Sequence, residues 1–335
     1  MSEYLQYGGQ AVVEGVMMRS PRYFAVACRK PDGEIVLRAE PIEASFLGRL
    51  QWLKRPFLRG SLALIDAMAL GMKALNFSAQ VQAEAIPQKG AVAVQEDSGV
   101  PSTEAPAASA PAGSSPKIND IVIGGVMVLA FLLGVVIFVA LPTLLTQLVQ
   151  THIGVSHPTA LNVVDGIIRI AIFLAYVASI ARMKNIRRVF QYHGAEHKAI
   201  NTLEAGGELS VEVCSKASRI HHRCGTSFVI IVLLASILVH SLFPRPPHYF
   251  ARVVLHTALI PLVAGVAYEV IRLAGRMRNA RVLTALLAPG RWTQGLTTRE
   301  PDVDQVEVAL TALKAVVDRE RAPAQAPEGP SAAVA

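Results

Sequence analysis

Apolar positions are concentrated in four long blocks between residues 121 and 273, and the rest of the chain alternates apolar and polar positions on a shorter scale. Residues 121–141 carry no charge at all, which is enough length to cross the ~30 Å hydrocarbon layer of a bilayer as a helix. Residues 161–181 form the second block. It holds Asp165 and Arg169, four positions apart and able to neutralise each other on one helix face. Residues 225–243 and 253–273 form the third and fourth, the last with His256 near one end and Glu269 near the other. The pattern predicts four transmembrane helices within residues 118–275.

Outside these blocks the periodicity changes. Within residues 1–45, short apolar runs are punctuated by Ser20-Pro21 and Pro31-Asp32-Gly33, which predicts a β-rich unit of about three antiparallel strands. Residues 46–82 read as an amphipathic helical segment, with Leu58, Leu62, Ile65, Met68, Met72 and Leu75 recurring at spacings of three and four. Residues 83–117 are rich in Ala, Pro, Ser and Gly with no aromatic side chain, the composition of a disordered linker. Residues 276–322 read as a water-facing C-terminal segment whose helix carries Val306, Leu310, Leu313 and Val317, and residues 323–335 as a disordered tail.

Of the 335 residues, 52% are hydrophobic and 17% charged, too few charges for a typical soluble enzyme or a disordered chain. The net charge of +7 sits in stretches flanking the apolar blocks. Residues 142–160 hold no Lys or Arg, whereas residues 182–223 hold eight. That asymmetry predicts a multi-pass protein of the cytoplasmic membrane with both termini and the loop 182–224 on the cytoplasmic side, and the lipid bilayer as its partner. With no zinc-finger spacing and no basic–aromatic signature, the charge does not predict nucleic-acid binding. Three cysteines, Cys28, Cys214 and Cys224, supply no disulfide framework, and the N-terminus has no signal-peptide pattern. The expected fold class is therefore membrane α-helical, with a small cytoplasmic β-rich N-terminal unit and cytoplasmic helices.

The loop contains His193-Gly194-Ala195-Glu196-His197. On a helix, His193 and His197 share one face and can present two imidazoles to one divalent ion, zinc being the best match. This order inverts the H-E-x-x-H zinc-protease arrangement, and Glu196 falls where a general base is needed. The competing reading is a solvated helix carrying two chance histidines, and Gly194 weakens the helix by ~1 kcal/mol. Two histidines are too few for a stable site. His221 and Cys224, just before the third apolar block, and Glu269 are candidates for a third ligand. Glu269 can instead pair with Arg272. Glu204 lies on the same helical face but ~10 Å along the axis from His197, too far to share the ion. It suits a supporting or solvated role. Glu14 and Arg19, near the glycines Gly8, Gly9 and Gly15, and Arg223 are further possible site residues. His240 and His256 fall at the opposite side of the membrane and read as interface residues.

Several segments together resemble the YqhQ-like family of bacterial membrane proteins: Tyr7 to Arg19 (YGGQAVVEGVMMR), Tyr192 to Lys198 (YHGAEHK), Arg223 to Phe228 (RCGTSF), Tyr268 to Arg272 (YEVIR) and Thr297 to Pro301 (TTREP). The resemblance implies a bacterial inner-membrane location and a metal-dependent enzyme, with no reaction attached. It maps His193, Glu196 and His197 onto the family's metal motif and His221 onto its later histidine. His222 stands where the family pattern has proline, and adds a rival ligand. The expected function is a metal-dependent membrane hydrolase acting at the cytoplasmic face. The alternatives are a non-enzymatic scaffold or regulator with a structural metal and, less favoured, a transporter.

Overall fold

The computed structural model describes residues 7–42, 58–84, 116–155, 157–221, 224–276 and 280–322. Most of the expected linker, the C-terminal tail, and His222 and Arg223 lie outside the described residues. The chain is mostly helical, with one antiparallel sheet at its N-terminus.

The sheet is a meander of four strands, β1 (Gly8–Val12), β2 (Gly15–Arg19), β3 (Tyr23–Arg29) and β4 (Ile35–Pro41), in the order β1-β2-β3-β4. Sequence pattern suggested about three strands. The apolar run from Ala11 to Met18 is in fact two, folded back at Glu14, whose φ of 51° makes the tight turn. The run conceals the turn because β2 and β3 are buried on both faces, so their residues do not alternate with polar ones. Val16, Met18, Ala25 and Ala27 point into one core, and Val12, Met17, Phe24, Val26 and Cys28 into another.

The second of these cores is closed by α1 (Leu58–Glu84), through Leu70, Ala74 and Val81. The first is closed by α5 (Lys184–Glu204) and α11 (Val303–Arg321). Helix α11, expected as part of a water-facing tail, is a core element: Val306, Leu310, Leu313 and Val317 are all buried against the sheet and α5. Its start is fixed by a capping box between Asp302 and Gln305. Its end is tied to the sheet by Glu320, which accepts from Ser20 Oγ at 2.6 Å and from Arg22 Nε at 2.8 Å. Burial raises the Glu320 pKa, but these donors more than offset it, leaving the carboxyl below the usual carboxylate range.

The apolar blocks form a bundle. Helix α2 (Pro116–Val135), a π-helical turn (Val136–Ala140) and α3 (Leu141–Ile153) run on as one rod, well past residue 141. The π turn directly precedes Pro142, whose ring has no N–H to give to the preceding turn. Helix α4 (Pro158–Ile180) matches the second block, and α7 (Gly225–Ser241) the third. The fourth block is broken into α8 (Tyr249–Ala258) and α9 (Ile260–Arg276), bent by 44° ahead of Pro261. Among the described residues, three helices are long and apolar enough to cross a membrane, or four if the bent pair counts as one span; α7, with 17 residues, is shorter than these, so the third expected span is not among them. One of the three is α1, from Arg59 to Glu84, which the sequence pattern suggested only as an amphipathic segment. Residues 182–224 are not an open loop but hold α5 and a short α6 (Val211–Lys216), and α10 (Ala280–Thr297) lies along α7.

Candidate metal centre

His193, Glu196 and His197 lie on the face of α5 turned towards the N-terminus of α7. The two imidazole centroids are 4.4 Å apart. His193 Nδ1 is 2.9 Å from the carbonyl oxygen of Thr297, and His197 Nδ1 is 2.6 Å from that of Arg219. A carbonyl only accepts, so each Nδ1 carries a proton and, in the neutral ring, each Nε2 offers its lone pair. Histidines that bind metals are commonly held in this way, by a donated Nδ1–H that fixes the tautomer.

Cys224 meets the first of these rings. Its sulfur lies 3.2 Å from His193 Nε2 and accepts from the Thr226 amide at the start of α7. Among the described residues, His193, His197 and Cys224 are the one trio whose donor atoms fall within 4.8 Å of one another. Of the three proposed third ligands, Cys224 is thus the one brought into contact range. The other two thiols are unsuited to this chemistry, since burial raises the pKa of both Cys28 and Cys214.

Glu196 borders this trio, with Oε2 3.5 Å from His197 Nε2. It is buried at 4% exposure, and burial pushes its carboxyl pKa up to about 7. His193 and the Gly9 amide pull it down, and Glu204 adds to the rise. Gly9 has to be glycine here: a Cβ would lie 2.9 Å from Glu196 Cγ and 2.5 Å from the Met17 carbonyl oxygen. Gly194 has an equally concrete reason, because a Cβ there would sit 2.1 Å from the Arg299 carbonyl oxygen. The residue that costs α5 helix propensity lets the Thr297 to Pro301 segment pass over the motif. That segment is clamped to α5 by the Arg299 amide on the Phe190 carbonyl and by the Lys198–Glu300 ion pair at 2.7 Å.

The other candidates take different places. The His221 ring is 5.7 Å from that of His197, and its Nε2 is 3.3 Å from Glu204 Oε1, which gives Glu204 a supporting position. The His221 backbone is held at both ends by the Gln294 side chain, a contact no sequence pattern announced. Glu269 pairs with Arg59 of α1 at 2.6 Å. Glu14 pairs with Arg188 and accepts from the Tyr192 hydroxyl at 3.3 Å, so it braces α5 against the sheet. Arg19 is exposed on the rim of the cleft.

That cleft, of about 1190 Å³, opens in front of the trio. Its walls come from β1, α1, α5, α9 and the first turn of α7, with Met17, Leu70, Phe190 and Phe228 as apolar lining and Arg19 and Arg272 as basic groups.

A family model described as "Protein of unknown function (DUF1385)" matches residues 55–319. The chain belongs to this family. The uncharacterized protein YqhQ of Bacillus subtilis (strain 168) is 35% identical over 308 residues, covering 92% of this chain and 91% of that one. No solved structure matches. The DUF1385 match contains both histidines, Glu196 and Cys224, and begins after the sheet, so Gly9 reaches the centre from outside the matched span.

Proposed function

We propose that this protein is a metal-dependent hydrolase of the bacterial cytoplasmic membrane, with its centre at the cytoplasmic face. The observation that carries the reading is the pairing of roles in one place: two imidazoles with Nδ1 held by backbone carbonyls, a thiol against His193 Nε2 and within 4.8 Å of a His197 nitrogen, and a buried carboxyl at their edge. His193, His197 and Cys224 would hold the ion, a donor set that suits zinc and leaves a tetrahedral centre one position short of closure. A bound ion would supply Lewis acidity towards water or a substrate oxygen. Glu196 would accept a proton at its carboxylate from a water in the cleft and return it to the leaving group. Gly9 holds that carboxyl in place through its amide. The apolar walls exclude bulk water and favour a substrate with a hydrophobic portion, a lipid or an apolar peptide.

The membrane assignment is supported by the surface of α2 and α3. Val126, Leu129, Phe131 and Leu133 are more than half exposed, and only 17% of the apolar 18-residue stretch within Gly125–Ile153 is buried by the rest of the described protein. Apolar surface on that scale needs a lipid environment. The run of Lys and Arg in residues 182–223 supports a cytoplasmic position for the centre and both termini.

Elemental analysis of the purified protein tests this reading, with about one equivalent of a divalent ion expected. Glu196→Gln should retain the ion and lose turnover. Retention of the cellular function in that variant would favour a scaffold with a structural metal instead.

A further inference from the structure

A second polar cluster lies at the other end of the bundle. Arg169 of α4 pairs with Asp165 at 2.6 Å and also approaches His256 Nδ1 of α8 at 3.2 Å. The rings of His240 and His256 stack with centroids 4.1 Å apart. Arg252 reaches the Gln147 side chain and the Pro247 carbonyl through Nη2, and Arg245 reaches Asn162 Oδ1 through Nη1 at 3.1 Å. All three guanidiniums lie within electrostatic range of the His256 ring, and Arg245 lies within range of both Arg252 and Asp165. Asp165, Arg169, Arg252, His240 and His256 are each more than nine-tenths buried.

The cluster is unbalanced in two ways. Among the described residues, three guanidiniums share one carboxylate, which leaves two positive charges in excess there. Its hydrogen-bond donors are also in excess. Arg169 Nε, Arg245 Nε and Nη2, and Arg252 Nε and Nη1 are buried with no acceptor among the described residues. Buried donors and charges of this kind are costly unless something accepts from them. On Arg245 the unpartnered atoms are Nε and Nη2, the edge of the guanidinium that grips two oxygens of one oxyanion.

We propose that this cluster binds an oxyanion, a phosphate-type group, between Arg169, Arg245 and Arg252. His240 lies 16 residues beyond Cys224, about 24 Å along the helix, so this site is separate from the candidate metal centre and does not depend on it. The same chemistry is offered by a free phosphate and by the phosphodiester of a lipid headgroup.

Full-length protein in a non-ionic detergent is titrated with inorganic phosphate by calorimetry, and with phosphatidylglycerol by native mass spectrometry, phosphatidylcholine serving as the zwitterionic control. Saturable binding is expected in at least one arm. Binding of phosphate alone assigns a soluble anion, and preferential retention of phosphatidylglycerol assigns a headgroup. Arg245→Gln should weaken binding at least roughly tenfold. Arg245→Lys, which keeps the charge and loses the forked edge, should weaken it less. Arg245 is only half-buried, so these two replacements are the least disruptive to folding. Absence of binding in both arms, or affinities unchanged in Arg245→Gln and Arg252→Gln, would overturn the proposal.

Discussion

The two ends of the helical bundle hold polar clusters of opposite character. At the α5 end, the groups facing the cleft are electron-pair donors: two imidazole nitrogens, a sulfur and a carboxylate. The Nδ1 protons of the two rings are committed to the Thr297 and Arg219 carbonyls. At the α8 end the groups are proton donors, mainly guanidinium edges, and several have no acceptor among the described residues. The first arrangement suits a cation and the second an anion. What separates them is where the backbone carbonyls fall, because a carbonyl on Nδ1 decides what Nε2 can offer.

The largest expected effect breaks one end only. Changing both His193 and His197 to Ala should weaken ion binding by more than about a hundredfold, read by elemental analysis after dialysis, while oxyanion binding at the α8 end stays as in the wild type. Loss of both together would mean that the two ends are not independent.

A smaller effect sharpens the same contrast. Gly194→Ala places a methyl group against the Arg299 carbonyl. It should cost about 1–3 kcal/mol of stability in a denaturation series and loosen ion retention, because the displaced segment also carries the Thr297 carbonyl that orients His193. Unchanged stability would show that this segment does not rest on the motif.

The smallest effect should leave both ends untouched. Glu320 has a depressed folded-state pKa, so its contribution to stability is present above the unfolded value of 4.5 and is lost as the pH falls through the folded value. Glu320→Gln should therefore flatten the fall in stability below pH 4.5 relative to wild type, with ion and oxyanion binding unaffected. An identical acid limb in both proteins would remove the helix α11 tie from the account.

How legible each end was in the sequence follows the same physics. His193, Glu196 and His197 are neighbours on one helix, so spacing alone brings them to one face. Cys224 was visible only as one of three options, since its distance from the histidines depends on how α7 meets α5. The Arg59–Glu269 pair joins residues 210 positions apart, and no local pattern links them. The cluster at the α8 end draws on α4, α7, α8 and the connection between the last two, so His240 and His256 read singly as interface residues. Glycine gave a partial signal. A glycine pair permits close backbone approach, which Gly9 uses and Gly8 does not, but nothing in the sequence tied Gly9 to Glu196. The 44° bend at the fourth apolar block left only a mild trace in the sequence, Pro261, because both halves keep an apolar face.

The central claim is that His193, His197 and Cys224 hold one ion together. Cobalt(II) titration of the metal-depleted protein tests it most directly, because a cobalt–thiolate bond gives its own charge-transfer absorption. The account predicts saturation at about one equivalent with that band present. The band should vanish in Cys224→Ser, and all high-affinity binding should vanish in the His193→Ala, His197→Ala double variant. Failure to bind cobalt, or a spectrum unchanged by these substitutions, would contradict it.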